Sequence, residues 1–124
     1  MVVNLLFPRG CAGCDKPDEV LCEACRALFS QPTAQSFDGV AMQRWFACGW
    51  YRGTVRRAVL AWKDHGDEEC DRAFADAICA LAKASGVIDF VRDRHGSCHD
   101  VVVVPAPSSP ASIRRRGRKH MMPI

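Results

Sequence analysis

The chain has 124 residues, enough for one ordinary domain and too few for two full ones. Its 48% hydrophobic and 25% charged residues describe a globular protein, neither disordered nor, with no apolar run of about eighteen residues, membrane-spanning. Seventeen Lys+Arg against fourteen Asp+Glu leave +3, too little to imply nucleic-acid binding, but residues 101–124 hold five cations and no acid and attract anions locally.

Residues 1–7 are apolar but lack a basic start, Pro8 interrupts them, and no small-residue cleavage site precedes Cys11. No secretory signal is therefore expected, and the protein is read as soluble and cytoplasmic, with reduced thiols. Cys11-Ala-Gly-Cys14 is followed after seven residues by Cys22-Glu-Ala-Cys25. Two CxxC pairs at this spacing turn four sulfurs toward one point, the pattern of a tetrahedral zinc site. Four thiolates leave no position for a bound water, so the zinc is expected to be structural. Gly10 and Gly13 are expected to supply backbone freedom around the metal. Two disulfides or an iron–sulfur cluster are the competing readings. Between Pro8 and Arg26 the only apolar side chains besides cysteine are Ala12, Val20, Leu21 and Ala24, too few for a core. A metal must then order this segment.

Among the other cysteines, Cys48 and Cys79 lie in apolar surroundings and read as buried, while Cys70 and Cys98 have no paired spacing. His95, Cys98 and His99 lack a fourth ligand and read as a polar loop more than as a second metal site.

Residues 30–39 read as a linker. The aromatic run from Arg44 to Arg52 predicts a strand buried on both faces and ended by Gly53. Thr54 is placed as the N-cap of a helix whose stripe is Val55, Ala58, Val59 and Trp62. Arg56 and Lys63 flank that stripe, either as a cationic edge toward a ligand or as solvated boundary residues. Asp64 and His65 read as capping, His65-Gly66 as the stop, and Asp67-Glu68-Glu69 as the acidic cap of the next helix. That helix carries Phe74, Ile78, Leu81 and Ala82 to about Ser85, with Gly86 as C-cap. Residues 87–94 are left open between helix and irregular chain.

Val101-Val102-Val103-Val104, β-branched without alternation, predicts a strand covered on both faces and hence an α/β fold. Pro105-Ala-Pro107-Ser-Ser-Pro110 leaves it as a stiff loop, followed by Arg114, Arg115, Arg116, Gly117, Arg118 and Lys119. Serines and arginines beyond the carboxyl end of a buried strand suit phosphate or pyrophosphate, although solvated tails and nucleic-acid patches look alike. No nucleophile–base pair, acid dyad or glycine-rich phosphate loop is present in the sequence. Trp45, Trp50 and Trp62 read as core.

In order and spacing, these motifs resemble those of the ComF/GntX-like phosphoribosyltransferase family over nearly the whole chain. They are Leu5-Leu6-Phe7-Pro8 before Cys11-x-x-Cys14, then Leu21-Cys22-x-x-Cys25, then Tyr51-x-Gly53-x-Val55-Arg56 with its helix to Trp62-Lys63 and Gly66. Val104-Pro105-x-Pro107 and Arg116-Gly117 complete the series. The resemblance implies a zinc-ribbon-like module over 1–30 and the first part of a type I phosphoribosyltransferase (Rossmann-like) domain over 40–124. It implies binding of phosphoribosyl pyrophosphate, with Lys63, Ser108, Ser109, Arg116 and Gly117 at the phosphates and Mg²⁺ only where the full site exists. The family is also linked to DNA uptake.

Two departures stand against this pattern. Arg118, Lys119 and His120 follow the Arg-Gly pair where the family commonly has an aromatic residue and two amides. No later strand with two adjacent acids and a Thr/Gly-rich loop is present to hold ribose and 5′-phosphate. The chain is therefore expected to be a front fragment, inactive alone, whose missing strands come from a longer product or a partner chain. The rival reading is a zinc-ribbon module contacting nucleic acid, in DNA uptake or otherwise, through its basic tail.

Overall fold

A helix over the Val55 stripe forms as its period requires in the computed structural model, which describes residues 9–35, 45–95, 102–119 and 121–122. The elements run α1 (Glu23–Ala27), β1 (Thr33–Gln35), β2 (Trp45–Ala47), α2 (Gly53–Asp64), a 3-10 turn (Glu68–Cys70), α3 (Asp71–Ala84), α4 (Val87–His95) and α5 (Pro110–Arg116). The only sheet among the described residues is the antiparallel pair β1–β2, with Ala34 opposite Phe46.

One cluster of buried side chains organises the fold. Val55, Ala58 and Trp62 face inward from α2, and Ala73 and Phe74 from α3, with Val59 and Ala77 half-buried beside them. Phe74 is the hub. Its ring meets Phe29 edge-on at 5.2 Å and Trp62 at 4.8 Å, offset geometries that add to the area buried. The same cluster takes in Cys11, Leu21, Cys22 and Cys25, so the cysteine-rich start and the helical body share one core.

Several expectations are corrected. The segment read as a linker contributes β1, which pairs with β2. The aromatic strand is three residues long and half-buried, and Trp50 and Tyr51 beyond it are exposed, so Trp50 is not core. Thr54 is not the N-cap; α2 starts two residues earlier than that placement requires, with Arg52 in the N-cap position. Cys79 is exposed and Cys48 only half-buried, whereas Cys70 is fully buried. Cys79 lies five positions past Phe74 and so projects from the far side of α3. Ile78, at the edge of the buried face, is also exposed, and that face runs through Ala73, Phe74 and Ala77. Residues 87–95 are helical, set off from α3 by Gly86 at φ +69°, a left-handed conformation that suits glycine. Cys98 and His99 lie outside the described residues.

The valine run is corrected most. Val102, Val103 and Val104 belong to no strand and are 82%, 86% and 79% exposed. Among the described residues no strand lies beside them, so neither their backbone pairing nor their burial is satisfied.

The basic tail is folded back on acids. Arg116 Nε donates to Asp64 Oδ1 at 2.8 Å, so Asp64 holds the tail and does not cap α2. Arg118 grips Asp71 in a fork, with Nη1 at 2.9 and 3.0 Å from its two oxygens, and the Trp62 indole N–H donates to the same carboxylate. Burial alone would raise the Asp71 carboxyl; the Arg118 guanidinium and the Trp62 indole outweigh it and hold it below its usual value. Asp71 therefore adds stability above the unfolded carboxylate value of about 3.9, and acid removes it. The Asp71→Ala variant is expected to lose about 1–3 kcal/mol in urea unfolding, because two largely buried donors lose their acceptor. The stability gap between the unaltered protein and Asp71→Asn should close as pH falls below the ordinary carboxylate range, read from melting curves.

Candidate metal centre

Backbone hydrogen bonds set the first cysteine pair. Cys11 N–H donates to the Lys16 carbonyl at 2.9 Å, and the Cys11 carbonyl accepts from Asp15 N–H at 2.8 Å. Ala12 N–H reaches the Val20 carbonyl at 3.0 Å, and Gly10 bridges Pro17 in antiparallel fashion. The left-handed residues of this knuckle are Asp15 (φ 62°) and Asp18 (φ 61°), a conformation that short polar side chains tolerate.

Gly10 and Gly13 are needed for space and not, as expected, for conformational freedom. A Cβ on Gly13 would lie 2.7 Å from the Thr54 methyl and 2.9 Å from Cys25 Sγ. The knuckle is thus pressed against both the second cysteine pair and the first turn of α2. That pair sits on α1, with Cys22 at its N-cap and Cys25 inside it. Arg26 Nε donates back to the Leu21 carbonyl at 2.8 Å and fixes the approach to the helix.

The four sulfurs Cys11, Cys14, Cys22 and Cys25 lie within 4.8 Å of one another, Cys14 exposed and the others buried. Cys14 and Cys22 Sγ are 3.6 Å apart. A tetrahedral metal with sulfur bonds of about 2.3 Å needs sulfur–sulfur edges of about 3.8 Å, so the arrangement fits such an ion with little adjustment. All four are free thiols. Burial works against ionising Cys11, but the N–H groups of Cys22, Gly13 and Cys14 outweigh it and bring the thiol down to about 6. Burial first, and then the neighbouring sulfurs, push Cys25 well above its ordinary value. A cluster with one ready thiolate and one strongly disfavoured one is relieved by a cation at its centre.

Two further contacts join this centre to the body, and the sequence did not expose them. Arg9 pairs with Asp67 and Glu69, so these acids also anchor the knuckle; Asp67 stands at the N-cap of the 3-10 turn with Glu68 and Glu69 in its first turn, but its side chain makes no capping hydrogen bond. Cys70 is buried nearby, its thiol pushed up to about 12 by burial and by Asp67, which makes it an inert packing group.

The residues expected at phosphate are placed apart in role. Ser109 caps α5, its Oγ accepting from Ser112 N–H at 3.2 Å, and Gly117 closes α5 in a left-handed turn at φ +73°. Ser108 lines a cavity of about 330 Å³ with Pro105, Ile113, Lys119 and Met121. Lys63 is half-buried in the last turn of α2, and Arg116 is paired with Asp64. Among the described residues no helix is long and apolar enough to cross a membrane.

No protein-family model, curated protein or solved structure matches the chain.

Replacing Gly13 with alanine is expected to cost about 1–3 kcal/mol through overpacking, seen as a lower melting point and as faster loss of metal to a chelator. The Cys22→Ser variant should lose both the metal and native compactness, measured by metal analysis and size-exclusion chromatography.

Proposed function

We propose that the bound metal is structural zinc and that the chain is a phosphoribosyltransferase-like protein of the ComF/GntX kind, inactive in the form of these 124 residues. The observation that carries the zinc reading is the all-sulfur cluster with tetrahedral spacing. Thiolate ligands in this number favour zinc, and a reducing, cytoplasmic setting keeps them available. Four protein ligands leave the ion no site for substrate, so its work is to hold the knuckle against α1 and α2.

The phosphoribosyltransferase-like reading is supported by the ordered series of motifs. It also draws on the exposed valines at 102–104, which pass through Pro105-x-Pro107 into α5 and Arg116-Gly117. Such a segment is what a strand-forming sequence becomes when nothing pairs with it. Binding of phosphoribosyl pyrophosphate at Lys63, Ser108, Ser109, Arg116 and Gly117, with Mg²⁺, belongs to the completed domain. In these residues Arg116 is paired with Asp64. The basic tail is for a related reason the weaker candidate for nucleic-acid contact: Arg118 is also committed, to Asp71 and Glu68.

Elemental analysis of the purified chain should give one zinc per molecule, and absence of stoichiometric zinc sinks the metal assignment. Incubation with phosphoribosyl pyrophosphate and Mg²⁺ should release no pyrophosphate above blank; release would refute the inactivity.

A further inference from the structure

The four sulfurs of the metal centre differ in access. Cys11, Cys22 and Cys25 are 0%, 3% and 3% exposed, whereas Cys14 is exposed and begins a run of exposed residues that extends to Asp18. Two of the buried sulfurs also lie under close backbone. Cys11 Sγ accepts from the Cys22 N–H at 3.3 Å. The Gly13 backbone stands so near Cys25 that a Cβ on it would fall 2.9 Å from the Cys25 Sγ. Bound to a dication, all four are thiolates, so ionisation no longer separates them and access does. An oxidant dissolved in water meets Cys14 first.

A partner for Cys14 is already in place. Cys14 and Cys22 belong to different CxxC pairs, yet their sulfurs are 3.6 Å apart. A disulfide needs about 2.05 Å, and an exposed sulfur can swing that far without displacing core side chains. Cys22 stands at the N-cap of α1, ahead of its helical ladder. Cys79 is exposed as well, but among the described residues it belongs to no sulfur cluster.

We propose that Cys14 is the oxidation site of a thiol switch, in which hydrogen peroxide joins Cys14 to Cys22 as a disulfide and the zinc is released. The proposal rests on the zinc reading above. Cys14 Sγ attacks one peroxide oxygen; the O–O bond breaks, hydroxide leaves with the electron pair, and Cys14 becomes a sulfenic acid. Cys22 Sγ then attacks the Cys14 sulfur; the S–S bond forms, the S–O bond breaks, and a second hydroxide leaves. The two sulfurs together lose two electrons and the peroxide gains them. Zinc is left with the thiolates of Cys11 and Cys25 alone, half of a tetrahedral shell, and dissociates.

The test uses the full chain loaded with zinc, its metal content first measured by elemental analysis. Hydrogen peroxide is added beside a chromogenic zinc chelator, and the cysteines are then mapped by alkylation and peptide mass spectrometry. Zinc release is expected together with a first disulfide between Cys14 and Cys22, and dithiothreitol with added zinc should restore the loaded form. The mapping uses the unaltered protein and requires no variant to fold. Cys14→His offers zinc a fourth ligand but cannot form the bond, so its release should be slower by about tenfold or more. Retention of zinc while Cys79 becomes oxidised overturns the proposal. So does a first disulfide between any other pair, or undiminished release from a zinc-loaded Cys14→His chain. Each of those results, obtained on a chain that began with stoichiometric zinc, leaves the zinc reading standing; absence of zinc at the start removes both.

Discussion

Convergence of four sulfurs is the constraint on which the rest of the fold leans. Between Pro8 and Arg26 the chain has almost nothing apolar to bury, yet Leu21 and three of the cysteines lie in the main core. They can do so because the knuckle and α1 are fixed relative to each other at the sulfurs, and because Gly13 lets the first turn of α2 close on that junction. Phe29, just past α1, then reaches Phe74, and Phe74 reaches Trp62. Freed from one another, the two cysteine pairs would no longer present Leu21 and Phe29 together, and α2 and α3 would lose one wall of their core. A small chain with few buried side chains depends heavily on such a node.

What the sequence revealed was local. The CxxC spacing named all four clustered sulfurs, and the 3.6-residue period named Val55, Ala58 and Trp62, because both depend on residues near each other in the chain. What it hid depends on distant partners. Nothing local says that Asp64 and Asp71 meet Arg116 and Arg118, nearly fifty or more positions away, or that Asp67 meets Arg9. Trp50 looked like core because its neighbours are apolar, but its exposure is decided by the turn at Gly53. The valines carry a strong preference for strand, and preference alone makes no strand where there is nothing to pair with.

Charge is partitioned by this folding. The tail, the most basic stretch in the sequence, spends its two most buried arginines inside the protein, where they tie α5 to the ends of α2 and α3. The less conspicuous arginines at 52, 56 and 57 stay uncommitted on the surface. Counting charges along the chain therefore overstates how much of the tail's charge is free; the pairing decides.

The bare valines at 102–104 carry a consequence of their own. Three successive exposed β-branched side chains outside any strand are a segment onto which a like segment from another molecule can add. Pro105 and Pro107 flank one side and cannot donate, so growth in that direction is blunted. The other side has no such guard in the described residues. High protein concentration, which brings such segments together, is then a stress that this feature makes consequential.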